Sequence, residues 1–217
     1  MKRVVVIAGG EVTPEDLHLI RADDFLITAD AGVEHLLDRG MRPHLAVGDF
    51  DTTKQDYLSQ LQELQIPYRT LPCKKDVTDT HFALEEAVKL QPSEILLLGA
   101  LGGSRFDHAL ANLYLLEWLA TTSISCTLVS GKNQVRCLTG PTTVRLTKGD
   151  TQYMSLLPCS DQVVGVTLKG FRYPLNDATL IRGGSLGVSN EIAQESGEIT
   201  IRLGKCFCIQ SADLQLS

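Results

Sequence analysis

Two patterns of apolar and polar positions divide this chain. From residue 2 to about 131, short β-branched and aliphatic runs alternate with stretches whose apolar positions recur every three or four residues. The runs Arg3–Ala8, Phe25–Ala29, Leu45–Val47, Tyr68–Leu71, Glu94–Leu98 and Cys126–Val129 predict strands, and Pro14–Ile20, Val33–Arg39, Lys54–Leu64, Thr80–Leu90 and Ala109–Ala120 predict helices. The strand runs are almost wholly apolar, as strands are when both faces of a sheet are covered. Right-handed βα crossovers put helices on those faces. The expectation is an α/β domain with a mostly parallel, doubly covered, Rossmann-like sheet.

After Gly131-Lys132-Asn133 the helical period disappears. Val135–Leu138, Thr142–Leu146, Tyr153–Leu157, Val163–Leu168, Gly170–Tyr173, Glu198–Leu203 and Phe207–Gln210 are β-type runs separated by Gly, Pro and Asn turns. That spacing predicts an all-β sandwich. The domains are expected at residues 1–131 and 132–217, with no internal repeat.

Composition narrows the function classes. Hydrophobic residues make up 43% of the 217 and charged residues 21%, ordinary proportions for a globular protein with a proper core. A formal net charge of -6 and the lack of a basic run argue against nucleic acid as a partner, because phosphate-backbone affinity needs clustered Lys and Arg. No stretch approaches the ~20 apolar residues of a membrane span. Met1-Lys2-Arg3 followed by Val4–Ala8 is too short an apolar run for a signal peptide, so a cytoplasmic protein is expected. Six scattered cysteines lack Cys-x-x-Cys spacing and read as reduced thiols. Cys206 and Cys208 alternate along one strand and should face the same side.

The chemistry concentrates in loops that follow predicted strands. Gly48-Asp49-Phe50-Asp51-Thr52 places two carboxylates one residue apart just beyond a strand. Such groups repel one another unless a divalent cation and phosphate oxygens neutralise them. Asp51 as a simple helix cap is the plainer alternative. Asp30-Ala31-Gly32 opens a helix where free backbone N–H groups can meet a phosphate, and Asp30 can equally be an N-cap. Lys75-Asp76-Val77-Thr78-Asp79 leads into another helix, and Asp79 either caps it or joins Asp49 and Asp51 around Mg²⁺. In Gly102-Gly103-Ser104-Arg105-Phe106-Asp107-His108 the glycines let backbone approach phosphate closely, Arg105 offers a bidentate fork, and Asp107 stands where it can cap the next helix. A G-x-x-x-x-G-K-[ST] loop is absent from the sequence.

Taken in order, Asp30-Ala31-Gly32, Gly48-Asp49-Phe50-Asp51-Thr52, Asp76-Val77-Thr78-Asp79 and Gly102 to His108 resemble the motif set of thiamine pyrophosphokinases, and Ser189-Asn190 extends the likeness into the second domain. The resemblance implies transfer of the β,γ-pyrophosphoryl group of ATP to thiamine, with Mg²⁺ as cofactor and ATP as co-substrate. It implies an α/β domain for the nucleotide and a β-sandwich for thiamine, in a homodimer with active sites between subunits. By matching positions, Asp49, Asp51 and Asp79 are the catalytic and metal-handling carboxylates. Asp30, Gly32, Lys75, Gly102, Gly103, Arg105 and Asp107 fall on the nucleotide side. Ser189, Asn190 and Thr78 fall on the thiamine side. Lys75 stands where some members carry Gln, and Glu191-Ile192 stand where some carry an aromatic residue. Two other classes use the same carboxylates: a metal-dependent phosphohydrolase, and a non-catalytic nucleotide-sensing module.

Overall fold

Every residue of β1 (Arg3–Ile7) is buried, so this strand has no solvent face and the first half of the molecule is built around it. A computed structural model describes residues 3–50, 57–70 and 76–213. The chain divides into two compact units, Met1–Gly131 and Lys132–Ser217.

In the first unit β1 is joined by β2 (Phe25–Ala29), β3 (Leu45–Gly48), β4 (Tyr68–Thr70), β5 (Glu94–Leu98) and β6 (Ser125–Ser130). Their order is β4-β3-β2-β1-β5-β6, and each pairing is parallel. In register, Val5 stands opposite Leu26 and Leu96. With Ile7, Leu98 and Val129 these residues form one core, closed by Leu17 of α1 (Pro14–Leu17) and Leu36 of α2 (Gly32–Leu37). A second cluster packs Tyr57 and Leu61 of α3 (Tyr57–Glu63) onto Val33, Ala46 and Phe50. Helix α4 (Asp79–Lys89) lies against β1, β2 and β3, and α5 (Phe106–Leu119) against β6. The parallel, doubly covered sheet expected from the continuous apolar runs is present.

Two helix boundaries differ from the periodic reading for local reasons. At α1 a capping box forms, with Thr13 Oγ1 accepting from Asp16 N–H and Asp16 Oδ2 accepting from Thr13 N–H, but the helix stops at Leu17 rather than running to Ile20. Helix α5 starts at Phe106, not Ala109, because Gly102 and Gly103 take φ of +82° and +76° and Arg105 occupies the N-cap position. Asp107 therefore sits inside the first turn and is not the cap.

The second unit has two antiparallel layers. One is β7 (Asn133–Thr139), β13 (Lys205–Ser211) and β9 (Tyr153–Pro158). The other runs in the order β11 (Leu175–Ile181), β10 (Gln162–Lys169), β12 (Ser196–Ile201), β8 (Thr142–Thr147). Met154, Leu156, Cys206 and Cys208 from the first layer meet Leu146, Val163, Val166, Leu168, Leu180, Ile199 and Ile201 from the second. This is the expected sandwich, and both thiols of the Cys206-Phe207-Cys208 alternation face its core. Burial pushes the Cys208 thiol up to about 12, so it is inert at neutral pH. Cys126, Cys137, Cys206 and Cys208 are free thiols; Cys73 lies outside the described residues.

One strand was misplaced by the sequence pattern. Gly170–Tyr173 is not a strand: Gly170 takes φ +78° and ends β10, and Phe171 makes only an isolated bridge to Ile192. The strand lies later, at β11, where Asn176 and Asp177 disguise it. Asp177 takes φ +49° and the pairing with β10 shifts register, as an irregular edge strand permits.

Candidate active site

Because all pairings in the first unit are parallel, the loops after β1, β2, β3 and β5 share one edge, and a glycine sits at each meeting. A β-carbon on Gly48 would stand 2.9 Å from Asp30 Cα, one on Gly32 2.1 Å from the Ile7 carbonyl oxygen, and one on Gly10 2.4 Å from that of Gly99. No other residue fits such backbone contacts. The Gly10 N–H donates to the Gly99 carbonyl at 2.8 Å, and Asp30 N–H donates to Val47 at 2.7 Å. The rim is thus a continuous line of interlocked backbone from β3 to β5.

Chain progression reverses between β1 and β5, and at such a switch point open α/β sheets bind ligands. Two side chains steady the loops beside it. His35 of α2 donates Nε2–H to the Gly10 carbonyl at 2.8 Å, and buried Asn112 of α5 donates to the Ala100 carbonyl at 2.8 Å. Sequence reasoning missed both, since nothing local marks a helical residue that reaches a loop far along the chain.

Asp30 sits at the carboxyl end of β2 with φ +47°, and its backbone touches Gly48, so it lies beside the Asp49 segment. It is not the helix cap the plainer reading expects: Ala31 occupies the N-cap position without a side-chain bond, and Gly32 starts the helix. Asp49 follows β3 directly and is half-buried. Phe50 then takes φ +58° and is buried in the α3 cluster, which anchors the segment between the two expected carboxylates. Asp51 and Lys75 lie outside the described residues.

Thr78 is the N-cap of α4, accepting from His81 N–H at 3.2 Å, and Asp79 is the first helical residue. Capping is therefore accounted for by Thr78, leaving Asp79 in the first turn. Glu86, buried on the same helix, receives Arg69 of β4 and Lys89, which fixes α4 against the sheet edge. Carboxylate oxygens such as those of Asp49 and Asp79 are the donors Mg²⁺ takes. Among the described residues no three His, Cys, Asp or Glu side chains converge on one point, so a three-carboxylate cage requires Asp51. The donor chemistry fits a hard divalent cation.

On the far side of the switch point, Arg105 closes its fork on Asp107, Nε to Oδ1 at 2.9 Å and Nη2 to Oδ2 at 2.6 Å, with both side chains about two-thirds exposed. The guanidinium holds the Asp107 carboxyl down to about 2. Gly102 and Gly103 precede this pair in left-handed backbone.

In the second unit Ser189 takes φ +58° and donates its N–H to Ser155 Oγ at 3.0 Å. Asn190 is buried and its amide is engaged at both ends. Oδ1 accepts from the N–H groups of Tyr173 at 3.0 Å and Glu191 at 2.9 Å, and Nδ2 donates to the Tyr173 carbonyl at 2.7 Å. Tyr173 is 56% exposed, with the Arg172 guanidinium 5.5 Å from its ring centroid and Arg172 in turn paired with Glu191. Asn190 thus holds the backbone of Tyr173, an exposed aromatic residue seventeen positions earlier in the chain.

Comparison with known proteins accords with this geometry. A family model described as "Thiamin pyrophosphokinase, catalytic domain" matches residues 17–128, and one described as "Thiamin pyrophosphokinase, vitamin B1 binding domain" matches residues 142–206. A thiamine pyrophosphokinase of Bacillus subtilis strain 168 is 31% identical over 216 residues, spanning 98% of this chain and 100% of the relative. A crystal structure of thiamine pyrophosphokinase from Bacillus subtilis superposes with a TM-score of 0.89 at 32% identity, covering 98% of this chain and 100% of that one. A thiamin pyrophosphokinase structure from Geobacillus thermodenitrificans gives 0.88 at 31% identity, covering 99% and 100%.

Proposed function

The chain belongs to the thiamine pyrophosphokinase family, and from that membership we propose that it transfers the β,γ-pyrophosphoryl group of ATP to the hydroxyethyl oxygen of thiamine, giving thiamine diphosphate and AMP. The observation that carries this reading is the coincidence of a family match across both units with acidic and glycine loops on one sheet edge. Residues 1–131 take the nucleotide and residues 132–217 take thiamine.

Pyrophosphoryl transfer asks the protein mainly to align an alcohol with the β-phosphorus and to offset charge on the leaving AMP. Asp49, Asp51 and Asp79 would hold Mg²⁺, which would supply charge neutralisation and orientation for the triphosphate. Asp30, Gly32, Lys75, Gly102, Gly103, Arg105 and Asp107 form the nucleotide side, where left-handed glycines bring backbone N–H groups close and Arg105 contributes its fork. Asp51 or Asp79 accepts the proton of the attacking hydroxyl. Thr78 acts on the thiamine side through the α4 turn it caps. Ser189 lies on the same side. Asn190 works from behind by holding Tyr173, whose open ring suits a flat aromatic cation. The free thiols of Cys126, Cys137, Cys206 and Cys208 suit a cytoplasmic enzyme.

The direct test is incubation with ATP, Mg²⁺ and thiamine followed by phosphorus NMR. AMP and thiamine diphosphate should appear together; orthophosphate released without thiamine would instead identify a phosphohydrolase, and binding without turnover a sensor. Asn190→Ala should cost about 1–3 kcal/mol of stability, because it strands two backbone groups of Tyr173. It should also raise KM for thiamine well above its effect on KM for ATP, read from initial rates with each substrate varied.

The enzyme is a homodimer whose sites are shared between subunits. Inactive Asp51→Asn and Ser189→Ala proteins, mixed under proven subunit exchange, should regain about a quarter of the parent activity, as one restored site in each mixed dimer requires. No recovery would place the whole site within one subunit.

A further inference from the structure

The described loops on the phosphate side of this site present two carboxylates, Glu11 and Asp107, where a bare polyanion would meet them. Glu11, in the loop after β1, lies over Gly102: a β-carbon on that glycine would be 3.1 Å from Glu11 Oε2 and 3.1 Å from its Cδ. Gly102 takes φ +82° and is the position at which backbone and Glu11 share this space. On the same loop Arg105 is already engaged by Asp107 through two hydrogen bonds. Among the described residues of these loops, the Arg105 guanidinium is taken by Asp107 and Glu11 adds a second carboxylate beside Gly102. An anion approaching Gly102 and Gly103 meets the Glu11 carboxylate, and an anion approaching the Arg105 fork meets Asp107.

We propose that Glu11 and Asp107 act as a charge filter at the switch point, opposing free polyphosphate and admitting a nucleotide whose phosphates arrive neutralised by a divalent cation. Glu11 thereby becomes a specificity-determining residue, and Asp107 gains a role besides orienting Arg105. This rests on the ATP-dependent reading given above. Because Arg105 holds the Asp107 carboxyl down to about 2, that charge persists throughout the physiological range. Both carboxylates are exposed, so the effect is set by Coulomb repulsion in high dielectric and weakens as salt is added.

The test is calorimetric titration at low ionic strength of the parent, Glu11→Gln and Asp107→Asn proteins. The titrants are ATP in EDTA, inorganic pyrophosphate in EDTA, and ATP with excess Mg²⁺. Glu11→Gln should bind the two metal-free anions roughly fivefold tighter than the parent, while its binding of the magnesium complex changes by less than about twofold; Asp107→Asn, which also releases the Arg105 fork, should tighten the metal-free anions as well. The metal-free gain should fade in about 0.5 M salt. Glu11→Gln keeps size and shape at an exposed position and leaves the Arg105 fork untouched, so it separates loss of charge from release of Arg105. An unchanged ratio of metal-free to metal-bound affinity in Glu11→Gln would overturn the filter. So would equal weakening of both forms, the mark of a carboxylate that accepts a ribose hydroxyl. If the parent binds neither form of ATP and yields no AMP, the pyrophosphokinase reading itself falls. If it yields AMP while the variants keep the parent's ratio, only the filter falls.

Discussion

Replacing Asp24 with alanine is expected to lower the unfolding free energy by about 3–5 kcal/mol, the usual result of stranding one member of a buried ion pair. Arg3 enters at the start of the central strand with its side chain 8% exposed, and Asp24, 1% exposed, accepts Nε at 2.8 Å. Asp24 also accepts the Arg21 N–H at 2.7 Å, while Arg3 Nη2 donates to the Leu19 carbonyl at 2.7 Å. Without the carboxylate, a guanidinium remains under the sheet with one neutral acceptor. The double replacement Arg3→Leu with Asp24→Leu should recover much of the loss, because it removes the buried charge itself.

The same pair sets a pH dependence. Burial alone would raise the Asp24 pKa, but hydrogen bonds from Arg3 and from Arg21 N–H, with the charge of both arginines, leave it below its usual value. A carboxyl whose folded pKa is depressed adds stability above its unfolded value, about 3.9, and that stability is lost as pH falls through the folded value. Urea midpoints of the parent and of Asp24→Ala should therefore differ most near neutral pH and converge below about pH 4. A gap of constant size across that range would show that the pair does not act through ionisation.

Asp51→Asn is expected to reduce AMP formation by at least about a hundredfold, since it takes a charged oxygen from a site whose chemistry is charge neutralisation and positioning. Asp79→Asn should do the same, because Thr78 and not Asp79 supplies the capping bond of α4. In both variants the unfolding free energy, read from urea melts, should stay within about 0.5 kcal/mol of the parent, as expected for carboxylates whose duty is functional. Near-normal AMP production by either variant would remove that carboxylate from the proposed site. A large fall in stability would give it a structural duty instead.

Much of the fold was legible because the physics that builds it is local. Runs such as Val4–Ile7 and Ile95–Leu98 are apolar at every position, and only a doubly covered strand needs that. Strand β11 was missed because Asn176 and Asp177 sit where alternation is normally read, on an irregular edge whose pairing carries the information. The candidate site divides in the same way. Asp30, Asp49 and the Gly102 to Asp107 segment carry their chemistry in their own side chains or backbone freedom, so they could be named in advance. The hold of Asn190 on Tyr173, seventeen positions away, and the seat of Glu11 over Gly102 depend on which distant segments touch. No spacing in the sequence encodes those contacts. The Arg105 fork could be named as a candidate binding element, but its closure on Asp107, inside the first turn of a helix that begins earlier than its periodicity suggests, could not.

The glycine seams along the sheet edge have a mechanical consequence. Gly48 abuts Asp30, Gly32 abuts Ile7, and Gly10 abuts Gly99, each at a spacing that leaves no gap to close. A displacement of one of these segments is therefore handed directly to its neighbour, and together they act as a single stiff beam. Attempts to retune such an enzyme toward another nucleotide have little to gain from reshaping that beam, and should begin with the side chains that overhang it.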